Sequence, residues 1–178
     1  VGIAFERFGL SPRVSGDAEI IASADKVILP GVGAAGYAME QIRARGLVPV
    51  LKGLTQPVLG ICLGMQLLFE RSEEEDTDCL GLMPGRVRRM AAAPGMPVPH
   101  MGWSALEVTD ESIGLATGDY VYFAHSFVGD DGPWVLASAD YGRKVPAVVR
   151  SGNFTGAQFH PERSGEAGAR FLQRFLES

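Results

Sequence analysis

The segment Pro57-Val58-Leu59-Gly60-Ile61-Cys62-Leu63-Gly64-Met65-Gln66 constrains the fold more than any other part of this 178-residue chain. An apolar run enters Gly-Ile-Cys-Leu-Gly, and an apolar helical pattern follows at once. That order reads as a strand, a tight turn and a helix reaching about Glu70, with one cysteine at the apex. Glycines on both sides relieve crowding where the backbone bends sharply. A thiol placed there sits near the positive end of a helix dipole, which favours the thiolate, the nucleophilic form.

The flanking chain gives this elbow a setting. Val1 to Phe8 reads as a helix already under way, with Ile3, Ala4, Phe5 and Phe8 at helical spacing and Gly9 as its stop. Residues 26–29 read as a short strand ending at Pro30, followed by the glycine-rich loop Gly31-Val32-Gly33-Ala34-Ala35-Gly36. Residues 37–45 and 48–54 read as helices, and Glu73 to Asp76 as an acidic stretch. Beyond Leu80, β-type runs are expected at 85–90, 104–108, 119–124, 134–139, 146–150 and 154–159. A closing helix over 165–177 carries Ala167, Phe171, Leu172 and Phe175 on one face. Strands and helices alternate in the first half and strands dominate the second. The expectation is one α/β domain over residues 1–178, with a mainly parallel central sheet flanked by helices and an added antiparallel portion.

Composition excludes several classes. Hydrophobic residues make up 46% and net charge is −5, which suits a globular domain and argues against nucleic acid as the main partner. The cluster Arg86, Arg88 and Arg89 reads as a solvated or ion-paired strand face. Two cysteines do not make a disulfide framework, and no apolar run reaches the roughly 20 residues that span a bilayer. With no targeting segment at the start, a cytoplasmic location is expected, away from membranes. Cys79 reads as a small buried hydrophobe.

A nucleophilic cysteine needs a base and a group to orient that base. Among His100, His125 and His160, the last stands out. His160 ends an expected strand in Gln158-Phe159-His160-Pro161-Glu162, and strand carboxyl ends are where open α/β sheets place their sites. Pro161 stiffens the link to Glu162, whose carboxylate would set the imidazole tautomer. Acyl chemistry also needs oxyanion donors. The N–H of Leu63, just after the cysteine, is one candidate. The Val32–Gly33 loop is the second, its glycines permitting the positive φ that turns an amide toward the site. His100 and His125 read as structural or interface residues.

Pro30-Gly31-Val32-Gly33, Gly60-Ile61-Cys62-Leu63-Gly64-Met65-Gln66 and Phe159-His160-Pro161-Glu162 together resemble the class I (triad) glutamine amidotransferases, in the same order along the chain. Finer segments resemble those members whose glutaminase subunit docks on a (β/α)8 barrel cyclase. They are Gly64–Glu70, Pro99-His100-Met101-Gly102-Trp103, Tyr122-Phe123-Ala124-His125-Ser126-Phe127 and His160–Gly165. The resemblance implies glutamine as substrate, hydrolysed without a cofactor or metal through a Cys62 thioester, with ammonia passed to the cyclase in a heterodimer. It implies His160 and Glu162 as the other triad members, and Gly31, Gln66, Glu74, Ser126 and Phe127 as substrate contacts. Trp103, Tyr122 and Arg163 are the implied interface residues.

Three departures accompany the resemblance. Ser104 stands where the family usually has Asn after Gly-Trp, at an implied interface position. Arg163 stands where Lys is usual. The family opens with a strand and a Gly/Asn-bearing loop before its first helix, whereas this sequence starts within that helix, so a fold without the N-terminal strand is expected. Two other readings are weaker. The Gly-Trp and Tyr-Phe-Ala-His-Ser-Phe segments speak against a class I cysteine amidotransferase or hydrolase serving a different pathway. A binding subunit without catalysis needs a broken triad, whereas Cys62, His160 and Glu162 are all present.

Overall fold

Apolar strands alternating with short amphipathic helices build the first half of the molecule. The computed structural model describes residues 2–178. Val1 and the side chains of Ile3 and Ala4, part of the expected opening helix, lie outside the described residues. In chain order the elements are α1 (Gly2–Glu6), α2 (Ala18–Ala22), β1 (Val27–Gly31), α3 (Ala35–Ala44), α4 (Leu47–Lys52), β2 (Val58–Cys62) and α5 (Leu63–Gln66). Then come β3 (Arg71–Ser72), β4 (Thr77–Asp78), β5 (Arg86–Arg89), β6 (His100–Val108), β7 (Tyr120–His125), β8 (Phe127–Gly129), β9 (Val135–Asp140), β10 (Lys144–Ser151), β11 (Phe154–Ala157) and α6 (Gly165–Glu177).

A seven-stranded mixed sheet runs in the order β1-β2-β11-β10-β9-β6-β7. Its parallel part is β1-β2-β11, and the pairings from β11 through β7 are antiparallel. The antiparallel portion is therefore larger than the sequence pattern suggests. The cause lies in β10, where Val145 through Val149 are buried without interruption. A strand covered on both faces loses the in–out alternation that marks an antiparallel strand. A small second sheet, β4-β3-β5-β8, lies beside it.

Helices cover both faces. Leu59, Ile61, Val148 and Phe159 pack against Phe5 of α1 and Phe171, Leu172 and Phe175 of α6. Val58, Val149 and Phe154 face Met39 and Ile42 of α3, Leu51 of α4 and Met65 of α5. Each such large side chain contributes about 1.5–3 kcal/mol on burial. The closing helix matches its expected span, because its apolar stripe is complete. The short α2 was not expected: none of its residues is fully buried, so it has no apolar stripe to betray it. Its signal is Asp17, whose carboxylate accepts from the N–H groups of Glu19 and Ile20 at 2.9 and 3.1 Å, an N-cap.

α5 is the main shortening. It ends at Gln66 rather than near Glu70 because the carbonyls of Leu67, Leu68 and Phe69 are taken by N–H groups of residues 80–83. A four-residue helix has little macrodipole, so the dipole argument for a thiolate at Cys62 weakens. The Arg86–Arg89 strand behaves as expected: Arg88 pairs with Asp130 at 2.6 Å and Glu73 at 3.6 Å.

β2 and β11 are also tied ahead of their ladder. Asn153 Nδ2 donates to the Leu54 and Gln56 carbonyls at 2.9 and 2.8 Å. An Asn153→Ala change leaves both carbonyls without that donor, and a loss of about 1–3 kcal/mol is expected in denaturant unfolding. An unchanged midpoint would show the contact to be idle.

Candidate active site

The parallel strands β1 and β2 and the end of β11 deliver the chemistry-bearing residues to one edge of the sheet. Gly31 closes β1, Cys62 closes β2, and His160 follows three residues after β11. Cys62 adopts φ 53° and ψ −112°, outside the regions that L-residues favour. Strain of this kind costs about 1–3 kcal/mol and persists where the surroundings impose it.

The glycines impose it by close approach. A Cβ on Gly60 would lie 2.6 Å from the Gly64 carbonyl oxygen, and one on Gly31 would lie 2.6 Å from the Gly64 amide nitrogen. A Cβ on Gly64 would overlap the Leu29 carbonyl oxygen. Space rather than unusual φ is what these three positions require. Gly33, at φ 94°, is the loop position that needs glycine conformationally.

A cavity of about 470 Å³ opens over this edge. It is lined by Gly31, Val32, Gly33, Cys62, Leu63, Gln66, Glu74, Ser126, Phe127 and His160, with Pro99, Met101, Ala124, His125 and Arg163 completing the wall. The expected oxyanion and substrate residues are thus brought together. Glu162 stands behind His160, its Oε1 3.1 Å from His160 Nδ1. Trp103 and Tyr122 lie outside the cavity, on the outer face of β6 and β7.

His160 is held by backbone as well as by Glu162. Its N–H donates to the Tyr122 carbonyl at 2.9 Å, and the buried Ser164 hydroxyl donates to its carbonyl at 2.6 Å while accepting from Tyr122 N–H at 2.9 Å. Hydrogen bonds to the Cys62 side chain and then to Glu162 raise the His160 pKa to about 9, against the opposing effect of burial. Burial, the largest single influence, pushes Glu162 upward, but the hydrogen bond to His160, a backbone hydrogen bond and the charge of His160 act together against it and hold the carboxyl below its usual range. An imidazolium beside the sulfur is the form that stabilises a thiolate. Cys79 differs: burial pushes its thiol up to about 11, which leaves it inert near neutrality.

Several residues depart from their expected places. Gln66 is buried, and its Nε2 donates to the Phe127 carbonyl and to Gln158 Oε1, each at 3.0 Å. Glu74 reaches the cavity wall, and its Oε2 also accepts from Ala35 N–H at 2.8 Å at the start of α3, so the acidic stretch is not wholly a solvated face. Ser104 does not face a partner surface: its hydroxyl lies 3.0 Å from His100 Nε2 on the inner face of β6. Alternation along the strand turns it away from Trp103. Gln158, absent from the sequence-based set, places Nε2 3.8 Å from Cys62 Sγ. Its signal in the sequence is a polar side chain inside an otherwise apolar strand end.

The outer face of β6 and β7 is aromatic. Trp103 is 54% exposed and meets Tyr122 edge-on at 6.0 Å, and the Arg163 guanidinium stands 4.2 Å over the Tyr122 ring. Met101 and Tyr120 extend the exposed surface, and Met101 and Arg163 join it to the cavity rim.

A family model described as "Glutamine amidotransferase class-I" matches residues 12–178. The chain belongs to that family. The amidotransferase is 50% identical over 178 residues to the Imidazole glycerol phosphate synthase subunit HisH of Idiomarina loihiensis, covering 99% of this chain and 90% of that one. It is 51% identical over 180 residues to the same-named subunit of Xanthomonas campestris, with the same coverage. A crystal structure of a glutamine amidotransferase superposes with a TM-score of 0.76 at 24% identity, covering 98% of this chain and 89% of that chain. Another glutamine amidotransferase, from Thermotoga maritima, gives 0.57 at 19% identity, covering 86% and 63%. These solved structures share the fold of the amidotransferase.

Two changes at position 62 isolate its backbone strain. Both Cys62→Gly and Cys62→Ala remove the thiol, but only glycine relaxes the dihedrals. Cys62→Gly is expected to be more stable than Cys62→Ala by about 1–2 kcal/mol in denaturant melts. Ser164→Ala is expected to cost about 1–3 kcal/mol, because it leaves the Tyr122 N–H unpaired. Equal stabilities in either comparison would contradict the corresponding contact.

Proposed function

We propose that this chain is the glutaminase subunit of an imidazole glycerol phosphate synthase. It hydrolyses glutamine to glutamate and ammonia and hands ammonia to a (β/α)8 barrel cyclase in histidine biosynthesis, in the cytoplasm. The observation that carries the reading is the meeting of a strained cysteine and a carboxylate-held histidine in one cavity. Identity of about 50% to the HisH subunits over 99% of the chain supplies the pathway.

In this reading the Cys62 thiolate attacks the side-chain carboxamide carbon of glutamine. The oxyanion is met by the N–H groups of Leu63 and of the Val32–Gly33 loop. His160, protonated beside Cys62 and held by Glu162, gives its proton to the leaving amine, and ammonia departs from a glutamyl thioester. Neutral His160 then takes a proton from water, which attacks the thioester and frees glutamate and the thiolate. Glu74, Gln66, Gly31 and the Ser126–Phe127 segment receive the amino-acid end of the substrate. Among the described residues Glu74 is the one carboxylate in the cavity wall, which suits an α-ammonium group.

Ammonia that meets bulk water becomes ammonium and stops being a nucleophile, so the open cavity needs a cover. The Met101, Trp103, Tyr120 and Tyr122 surface, with Arg163 over Tyr122, is continuous with the cavity rim and is where the cyclase docks. Aromatic and Arg side chains are the groups that anchor interfaces. Val32 is 89% exposed at the mouth, where a docked partner reaches the loop that supplies an oxyanion donor.

Glutamate release, measured with and without the cyclase and its ribonucleotide ligand, tests this. Low basal turnover is expected, rising with the liganded partner and absent in Cys62→Ala. Turnover in Cys62→Ala equal to wild type would sink the mechanism. Strong activity on peptides would favour a hydrolase serving another pathway.

The pH dependence has a definite sign. His160 is raised from 6.5 to about 9, so its interactions stabilise the fold fully below pH 6.5 and fade as pH rises through 9. The stability advantage of wild type over His160→Gln should shrink across that window, by up to roughly 3 kcal/mol. Turnover should fall through the same upper limb as the imidazolium is lost. A stability difference that grows between pH 6.5 and 9 would contradict the assignment.

A further inference from the structure

Two buried histidines stand outside the Cys62–His160–Glu162 set. His100 and His125 are opposite each other on β6 and β7, 1% and 5% exposed, with His100 Nδ1 3.1 Å from His125 Nε2. His125 Nδ1 lies 2.7 Å from the Phe127 carbonyl oxygen. A carbonyl only accepts, so His125 carries its proton on Nδ1. Neutral His125 then offers Nε2 solely as an acceptor, and His100 must donate to it from Nδ1. His100 Nε2 is left as an acceptor, and the Ser104 hydroxyl at 3.0 Å is its donor. The whole run has one direction, set by a single carbonyl.

The environment keeps both rings neutral. Burial pushes the pKa of each down to about 4. His100 lies between the rings of Phe123 at 4.7 Å and Tyr141 at 3.8 Å. Protonation of His125 would set its Nε2–H against His100 Nδ1–H in the middle of the run, and protonation of His100 would turn the Ser104 hydroxyl from donor to acceptor.

The run does not end at Phe127. Its carbonyl also accepts from Gln66 Nε2, the same nitrogen donates to Gln158 Oε1, and Gln158 Nε2 is directed at Cys62 Sγ at 3.8 Å. An N–H aimed at sulfur favours the thiolate over the thiol.

We propose that His125 is a positioning residue for the Cys62 thiolate. Held in its Nδ1–H form by the donors Ser104 and His100, it fixes the Phe127 carbonyl. That carbonyl fixes the Gln66–Gln158 amide pair, whose last N–H meets the sulfur. The inference rests on the reading of Cys62 as the nucleophile, and it adds His100, His125 and Ser104, which reach the sulfur only through other groups, to the machinery behind it.

Two measurements test it without any glutamine turnover, so its failure is distinguishable from failure of the glutaminase reading. Long-range imidazole nitrogen–proton NMR of the wild-type chain should show His100 and His125 as neutral Nδ1–H tautomers from about pH 6 to about pH 8. An Nε2–H tautomer at His125, or its titration in that range, overturns the proposal. The second reads the alkylation rate of Cys62 by iodoacetamide, located by peptide mapping. His125→Gln keeps one donor and one acceptor and should stay within about twofold of wild type, whereas His125→Leu lacks both and should slow about fivefold, its pH midpoint moving upward. Should His125→Leu fail to fold, Gln158→Met removes the last donor and is expected to slow alkylation alike. Wild-type alkylation rates in folded His125→Leu, or in Gln158→Met, overturn the proposal.

Discussion

The site depends on how closely two pieces of backbone approach at Gly64. β1 and α5 touch there without an intervening side chain: Gly64 lies against the Leu29 carbonyl, and Gly31 against the Gly64 amide. Gly60 lies under the same turn, against the Gly64 carbonyl. This contact does two things at once. It forces Cys62 into a conformation that only its surroundings can sustain, and it brings the Gly31–Gly33 loop beside the sulfur. Nucleophile and candidate oxyanion loop are therefore placed by one packing constraint rather than by two independent ones. A methyl group at any of the three glycines would separate them.

The base arrives from the other half of the molecule by a different kind of constraint. β11 carries the chain to the same sheet edge, but it ends at Ala157, and His160 is placed by hydrogen bonds to β7 through Tyr122 and Ser164. β7 thus holds His160 with its backbone while presenting Tyr122 on its outer face and Phe123 and His125 on its inner one. Strand alternation lets one short element serve the base, the exposed aromatic surface and the buried polar run together. Changes at that outer face need move only a single strand to be felt at His160.

What the sequence discloses and what it conceals follow the range of the interactions involved. Cys62 in its elbow, His160 beside Glu162 and the Gly31–Gly33 loop are local patterns, and the structure brings them to one cavity. α6 is legible because its stripe of Ala167, Phe171, Leu172 and Phe175 is regular. The shortness of α5 is not legible, since it is imposed by N–H groups from residues 80–83. The inward turn of Ser104 depends on the pleat of β6, and the placing of Gln158 against Cys62 depends on β2 and β11 being neighbours in register. β3, β4 and β8 are too short to carry a pattern of their own and exist because their neighbours supply hydrogen bonds. The parallel character of the sheet is overestimated for a related reason: β10 is buried on both faces, which burial alone cannot distinguish from a parallel crossover strand.

The electrostatics sharpen what the three histidines can do. All of them lie around one end of the sheet, yet the fold drives their proton affinities apart, His160 to about 9 and the other two to about 4. The difference is one of partners. His160 faces a thiol and a carboxylate, whereas His100 and His125 face each other, a carbonyl and a hydroxyl, with aromatic rings above and below His100. A positive His160 itself helps to keep His125 neutral, since each disfavours charge on the other. One mobile proton is thereby confined to the ring beside the sulfur, and the rings behind it are left to orient groups rather than to exchange protons. A site that must protonate a leaving amine gains from that separation, because His125, the other imidazole in the cavity wall, does not compete with His160 for the proton.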